Sequence, residues 1–227
     1  EINIYNLNNN ITNFSSVFFN GAAHIQHHYF FNIENFEGDK NPEWYVKKNE
    51  DPFRDTLFFY NEIIGDYLKL NKNFIVLTGL TQIPYKLKKY YYRINNPSFF
   101  LDSLNIKYKN TKSRMTRDFL IEFNNDEEKK IAHKKLINLK DTDGNKLFEE
   151  LDIRNKSLFV TLTYPHEIQN KFEVNFEDKI INFKKDISFV ALKNGMHDGK
   201  GYAFTNIENF FEQNSELELK SFFNKIK

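Results

Sequence analysis

The chain contains no cysteine, carries a formal net charge of only +1, and has no apolar run long enough to span a membrane. The lack of cysteine excludes a disulfide framework and a thiolate metal site. The balanced charge gives no overall attraction to nucleic acid or to an anionic membrane surface. We therefore expect neither a membrane span nor a nucleic-acid partner, and the lack of a recognisable signal peptide slightly favours the cytoplasm.

Glycine and proline are also scarce, with 8 and 5 residues, whereas phenylalanine and tyrosine number 25 and 12. Hydrophobic residues make up 40% of the 227 positions, which is enough to bury a core. A chain of this length fits one α/β domain, or one domain with a small insertion. Because the sequence begins with Glu1, almost inside a predicted strand at residues 2–5, we expect it to be part of a longer protein.

Residues 17–31, VFFNGAAHIQHHYFF, concentrate three of the six histidines within five positions. The pattern predicts a buried strand at 17–19, a Gly-Ala turn, and then a helix that carries His24, His27 and His28. On a helix, His24 and His28 share one face, so their imidazoles are suited to holding a divalent metal. The alternative is that these histidines only pad and cap the helix, which is the more common role of a lone pair at this spacing.

The pattern of apolar residues predicts helices and strands that alternate along the chain, as in a parallel sheet. Residues 54–70 show a helical stripe of apolar side chains, and residues 74–77, FIVL, form a continuous apolar run of strand length. A helix followed by a strand buried on both faces is typical of the βαβ units of a doubly wound sheet. The polar segment 78–82, TGLTQ, then lies at the carboxyl end of a strand, where such sheets bind ligands.

A second group of elements predicts a compact insertion. Residues 118–123 and 158–163 are predicted strands on either side of a helix at 125–139, and together they form a β-α-β unit. An amphipathic helix at 208–226 closes the chain.

The last strong strand, at residues 187–192, leads into a glycine-rich loop that contains His197 and Asp198. The segment with His24 and the segment 78–82 also follow predicted strands. Because the carboxyl ends of parallel strands meet at one edge of a sheet, we expect these segments to converge. Histidines from two of them would then meet around one metal and leave a position open for substrate.

Two further motifs each have two interpretations. Residues 86–93, KLKKYYYR, are either a phosphate or nucleic-acid contact or a solvated helix whose tyrosines pack inward, and the near-zero net charge favours the helix. Residues 141–145, DTDGN, resemble the start of a calcium loop, but Asp152 stands where such a loop needs Glu. A plain turn is the favoured interpretation of this motif.

The histidine segment, TGLTQ, LFVTLTYPHEI and ALKNGMHDGKGY together resemble the C-terminal half of the alkaline phosphatase superfamily, and within it the type I phosphodiesterase/nucleotide pyrophosphatase group. The resemblance covers residues 15–205. It implies a doubly wound, mostly parallel α/β sheet formed by residues 1–110 and 157–227. It also implies that the insertion, residues 111–156, leads into the strand at 158–163.

In that superfamily a strand ends in Asp-x-x-Gly-His, whose Asp and His bind a metal, and a later His-Gly loop supplies a third ligand. The resemblance places His24, His28 and His197 in these positions, and it implies a divalent metal, zinc first and manganese second. The residues implied to lie beside the metal or to contact substrate are His27, Thr81, Gln82 and Asp198. The second metal's Asp-His pair and the Thr or Ser nucleophile have no counterpart in this sequence.

The function implied by the resemblance is metal-dependent hydrolysis of a small-molecule phosphate or sulfate ester, as in phosphodiesterases. The chain would then be a piece that lacks the half with the nucleophile, which would be its natural partner. The alternative is a non-catalytic binding or accessory protein on the same fold with a degenerate metal site. A nucleic-acid module that uses residues 86–93 is a third hypothesis.

Overall fold

The computed structural model describes residues 1–12, 14–212 and 216–226. The described helices are α1 (Ile2–Asn8), α2 (Gly21–Tyr29), α3 (Pro52–Leu68), α4 (Pro97–Ser103), α5 (Asp126–Ile137) and α6 (Leu219–Ile226). The described strands are β1 (Ile75–Leu77), β2 (Gln82–Ile94), β3 (Asn110–Ser113), β4 (Asp118–Glu122), β5 (Lys140–Asp141), β6 (Leu151–Arg154), β7 (Ser157–Thr161), β8 (Glu173–Phe176), β9 (Lys179–Asn182), β10 (Ile187–His197) and β11 (Ala203–Thr205). None of these helices is long and apolar enough to cross a membrane.

The described strands form four small sheets, with the orders β1-β11, β10-β2, β3-β4-β7-β6 and β5-β8-β9. Every pair with a described register is antiparallel. The predicted doubly wound, mostly parallel sheet is therefore wrong. The chain is a mixed α/β protein built on small antiparallel sheets.

Short connections explain why the strands run antiparallel. Two residues join β6 to β7, and two join β8 to β9. Within these turns Asn155 and Glu177 adopt positive φ angles of 47° and 52°, as tight hairpin turns often require. A parallel pair would need a crossover of about a dozen residues or more. The apolar run at 74–77 also misled the prediction, since its strand β1 is not buried on both faces.

The chain divides into two compact units. The first consists of Glu1–Tyr85 and Asn194–Lys227, and the second of Lys86–Lys193. The predicted insertion, residues 111–156, falls inside the second unit.

The second unit is organised around one apolar core. Phe100 on α4, Ile121 on β4, Leu136 on α5 and Leu158 on β7 are all 0% exposed. The ring of Phe100 lies 4.9 Å from that of Phe183, measured between centroids. Large, fully buried side chains of this kind provide most of the free energy of folding in a small domain.

Three predicted elements of the second unit are confirmed, because β4 and α5 lie within residues 118–123 and 125–139, and β7 overlaps residues 158–163. The side chain of Asn125 caps α5 by accepting a hydrogen bond from the backbone N–H of Glu128 at 2.9 Å. However, β4 pairs with β7 antiparallel, so this unit is not a parallel β-α-β crossover.

The first unit departs most from the sequence prediction. Residues 17–19 form no strand, and Phe18 is 87% exposed. Residues 2–5 belong to the helix α1 and not to a strand. Both segments are short apolar runs, and such runs do not distinguish a strand from a helix or an exposed segment.

Other predicted elements are partly corrected. The helix predicted at 54–70 is confirmed as α3. The helix begins after Asp51, whose side chain caps it by accepting a hydrogen bond from the backbone N–H of Arg54 at 2.9 Å. The strand predicted at 74–77 is present as β1, but it is not buried on both faces, since Leu77 is 45% exposed. Residues 86–93 lie in the strand β2 and not in a solvated helix.

The closing helix is shorter than predicted. Of residues 208–226, the described helical part is α6, Leu219–Ile226, and residues 208–212 are not helical. Residues 213–215 of this prediction lie outside the described residues.

Candidate functional site

The three segments with unusual polar residues meet in the first unit through hydrogen bonds. Gln82 Nε2 donates to the carbonyl of Ala23 on α2 at 2.8 Å. The backbone N–H of Asp198 donates to the carbonyl of Thr81 at 2.9 Å. The ring of His27 bonds to the carbonyl of Gly195 at 2.7 Å. Helix α2, the segment 78–82 and the end of β10 therefore form one local structure.

A buried pair of amides fixes α2 against the end of β10. Asn194 Nδ2 donates to Asn41 Oδ1 at 2.9 Å, and Asn41 Nδ2 donates back to Asn194 Oδ1 at 2.7 Å. Asn194 Oδ1 also accepts from the backbone N–H of Phe31 at 3.3 Å, and Asn41 Nδ2 reaches the carbonyl of His28 at 3.3 Å. Because hydrogen bonds are directional, this network fixes the register of the segments that carry the histidines.

Two histidines from different segments meet at the open side of this structure. Nε2 of His27 on α2 lies 3.2 Å from Nε2 of His197, the last residue of β10. His197 is exposed, and His27 is half-buried. The pair is thus held by the folded backbone on one side and faces solvent on the other.

The hydrogen bond to Gly195 determines which nitrogen of His27 carries the proton. A carbonyl oxygen only accepts, so Nδ1 of His27 donates the hydrogen bond to Gly195. In the neutral ring, Nε2 then keeps its lone pair and directs it toward His197. A second ring nitrogen that donates to a backbone carbonyl is a usual arrangement for a metal-binding histidine.

The geometry of the pair also fits two ligands of one metal. A tetrahedral zinc with Zn–N bonds of about 2.0–2.1 Å places two ligand nitrogens roughly 3.3–3.4 Å apart. Two imidazole nitrogens aimed straight at each other at the distance found here would put the ring centroids roughly 5.5 Å apart. The centroids of His27 and His197 are only 4.6 Å apart, with the rings at 88°. The two rings therefore do not point straight at each other.

His24 and His28, the other two predicted ligands, lie together one helical turn apart. Their ring centroids are 4.9 Å apart in an edge-on arrangement. His24 is exposed, whereas His28 is only 9% exposed. Within residues 1–12, 14–212 and 216–226, no group of three or more histidine, aspartate and glutamate side chains is placed to hold a metal.

The remaining predicted site residues support the structure around the pair. Thr81 binds the loop after β10 twice, since its N–H also donates to Lys200 O at 2.7 Å. Asp198 Oδ1 accepts from the N–H of Gly199 at 2.7 Å. Gln82 is 7% exposed, and its Oε1 is buried without a hydrogen-bond partner among the described residues.

Gly195 is the position at which these contacts are tightest. A Cβ at this residue would lie 2.5 Å from Gln82 Oε1 and 3.0 Å from the carbonyl oxygen of Gln26. Only glycine therefore allows α2 and β2 to approach β10 this closely. The sequence offers no direct signal for this role, because an Asn-Gly pair ordinarily predicts a turn and not the inside of a strand.

The DTDGN motif forms the predicted turn in the second unit. The carboxylate of Asp141 accepts from Asn145 N at 2.7 Å, from Asp143 N at 3.0 Å and from the hydroxyl of Tyr164 at 2.7 Å. Burial alone would raise the pKa of Asp141, but the hydrogen bonds from Asn145, Tyr164 and Asp143 outweigh it and lower that pKa. Burial, and then the hydrogen bond to the same carboxylate, raise the pKa of Tyr164.

The basic segment 86–93 contacts a cation of the second unit through the ring of Tyr91. The guanidinium of Arg117 lies 3.7 Å from the ring centroid of Tyr91 on β2. Burial, and then the charge of Arg117, lower the pKa of Lys193.

Comparisons of the chain with protein-family models, with curated proteins and with solved structures found no match. The features that point to a function are therefore those of the molecule itself. They are the fixed tautomer of His27, the 3.2 Å separation of the two Nε2 atoms, and the amide network that holds both histidines in place.

Proposed function

We propose that the first unit binds a divalent transition metal between Nε2 of His27 and Nε2 of His197. The observation that carries the proposal is the separation of these two atoms, 3.2 Å, together with the bond from His27 Nδ1 to Gly195. Imidazole ligands favour zinc, copper and nickel over magnesium, calcium or manganese, so zinc is the first candidate. His27 and His197 replace the predicted set of His24, His28 and His197.

We propose hydrolysis of a phosphate or sulfate ester as the reaction at this site. Two protein ligands leave at least two positions of a tetrahedral metal open, and hydrolytic metal sites keep such positions for water and substrate. A bound divalent metal would polarise the ester and stabilise charge on the leaving oxygen. The bond from His27 to Gly195 would keep its ring oriented, and the surrounding amides would limit its movement.

A non-catalytic metal-binding role is the second candidate. It is favoured by the number of protein ligands, because the described residues supply a pair of histidines and no group of three. A site of this kind would hold a metal weakly, or would be completed by a ligand from another molecule.

Zinc affinity measured by isothermal titration calorimetry tests the metal site. We expect His27→Gln and His197→Gln each to weaken zinc binding at least tenfold, because each removes one of two ligands. His24→Gln is the matched control, since His24 lies on the same helix and is exposed, and it should leave the affinity unchanged. Equal affinity in all three variants, or a loss only in His24→Gln, would contradict the proposed ligands.

Hydrolysis of bis(p-nitrophenyl) phosphate separates the two candidate functions. If the protein is a hydrolase, the zinc-loaded protein releases p-nitrophenol, and both His27→Gln and His197→Gln abolish the release. Tight zinc binding without turnover would instead support the non-catalytic role.

A further inference from the structure

A groove on the second unit lies beside the strand at the end of the largest sheet. Its volume is about 950 Å³, and its walls include His133 and Ile137 of α5, three consecutive residues of β6, and Phe159 of β7. Side chains of consecutive strand residues point to opposite faces, so a groove lined by Leu151, Asp152 and Ile153 follows the edge of β6.

The edge of β6 is open in the described part of the chain. The sheet order is β3-β4-β7-β6, and β6 pairs only with β7. In an antiparallel pair, alternate residues direct their N–H and C=O groups away from the partner strand. An edge of this kind is a template on which a further strand can pair.

Acidic side chains line this open edge. Glu149, Glu150 and Asp152 all face the groove. Asp152 pairs with Arg154 at 2.7 Å, whereas Glu149 and Glu150 form no ion pair with any residue in the described ranges. The groove therefore combines an apolar floor with uncompensated negative charge.

Two residues that line the groove, Phe159 and Asp152, already contact a cation of the protein, the side chain of Arg154. The guanidinium of Arg154 lies 4.2 Å from the ring centroid of Phe159, and its Nη2 contacts Asp152. A carboxylate beside an aromatic ring is an established environment for arginine and lysine. Glu149 and Glu150 line the same groove, and neither forms an ion pair with Arg154.

We propose that this groove binds an extended, lysine- or arginine-bearing peptide segment of a partner protein. The peptide backbone pairs with the open edge of β6 and adds a fifth strand to the sheet. Its cationic side chains contact Glu149 and Glu150, and its apolar side chains pack on Ile137 and Ile153. Backbone pairing supplies affinity and the carboxylates supply specificity, as in other cases of strand addition.

Fluorescence anisotropy with a labelled octapeptide of alternating lysine and valine tests this proposal on the full chain. We expect saturable binding that weakens as salt is added. The double variant Glu149→Lys/Glu150→Lys should lose at least tenfold in affinity. The matched control Glu127→Lys/Asp178→Lys changes the charge of the same unit equally at exposed positions that do not line the groove, and it should bind as the unaltered chain does.

Three further ligands distinguish strand addition from other kinds of binding in the groove, and sedimentation tests for a second copy of the chain. The same octapeptide with alternate backbone nitrogens methylated cannot pair with an edge strand, and we expect it to bind at least tenfold more weakly. Equal binding of the methylated peptide, of an alternating glutamate and valine peptide, or of spermidine would overturn strand addition. A dimer in sedimentation that dissociates in the Glu149→Lys/Glu150→Lys variant would also overturn the proposal, because the edge would then belong to a second copy. Absence of saturable binding by the lysine and valine peptide would do the same.

Discussion

The interiors of the two units differ in the kind of side chain that they bury. The buried apolar cluster runs from Tyr92 to Ile187 and lies wholly in the second unit. The first unit has fewer buried apolar side chains among its described residues. Among the described residues, the buried polar side chains of the first unit are His28, Asn41, Gln82 and Asn194, and the second unit has Asp141.

The two kinds of burial contribute differently to the free energy of folding and to the orientation of polar side chains. Burial of apolar surface is strong but has no preferred direction, so it defines a core without orienting a polar group. Paired amides contribute less free energy, but they fix the position and orientation of the chains that carry them. The candidate metal site lies on the unit that amides organise, since a pair of ligands must be held to within a fraction of an ångström.

The largest expected effect is the loss of the second unit's core. Phe100→Ala removes a fully buried ring that packs against Phe148 and Phe183, and we expect a cost of about 3–5 kcal/mol in the free energy of unfolding. The loss in the free energy of unfolding is measured by urea denaturation with peptide-resolved hydrogen exchange over residues 86–193. The control is Phe99→Ala, on the same helix but 55% exposed, which should cost less than about 1 kcal/mol. Similar costs for both variants would show that the apolar core does not dominate.

An intermediate effect is expected from the amide pair of the first unit. Asn194→Ala leaves the amide of Asn41 without its reciprocal partner in a buried site, and we expect a cost of about 2–3 kcal/mol. Trp44, the single tryptophan, lies in the first unit, so its fluorescence during urea denaturation reports on that unit.

Two comparisons make the amide test specific. Asn61→Ala changes an exposed asparagine of the same unit and should stay within about 0.5 kcal/mol of the original chain. In the double variant Asn41→Ala/Asn194→Ala the costs should not add, because the two amides act as one pair. Simple additivity would mean that the pair does not organise the first unit.

The smallest change in stability is expected at the buried carboxylate of the second unit, Asp141. The pKa of Asp141 is lowered in the folded chain, so its contribution to stability is present above the unfolded pKa of about 3.9 and is lost as the pH falls through the lowered value. Asp141→Asn should cost about 1–2 kcal/mol at pH 7 and should remove this acid-dependent part. Thermal unfolding between pH 7 and pH 2 measures both.

The control for this carboxylate is its neighbour in the same turn. Asp143→Asn alters an exposed side chain, and its stability should follow the pH dependence of the original chain. A variant of Asp141 whose stability still falls as steeply in acid would show that another group is responsible.

Three elements of the second unit, β4, α5 and β7, were predictable from the sequence because burial there follows regular patterns. In α5, Ala132 and Leu136 are one turn apart and face the core, and β4 alternates buried with partly exposed residues. Such periodicities are what a sequence reveals directly. The direction of strand pairing was not predictable in the same way, because it depends on the two-residue turns at Asn155 and Glu177.

The candidate site was predictable only in outline. The sequence indicated that α2, the segment 78–82 and the loop with His197 would come together, and their hydrogen bonds join them. It did not indicate that His27 would be the histidine that meets His197, because this depends on the rotation of α2. That rotation is set by Asn41 and Asn194, which are far apart in the chain and show no pattern.

The most direct test of the metal site is a histidine NMR titration with zinc, which observes both ring nitrogens of every imidazole. Before zinc is added, we predict that His27 carries its proton on Nδ1. When zinc is added, the Nε2 resonances of His27 and His197 should shift together, and those of His24 should stay in place. A proton on Nε2 of His27, or a zinc-induced shift at His24 and His28 without one at His27, would contradict the account.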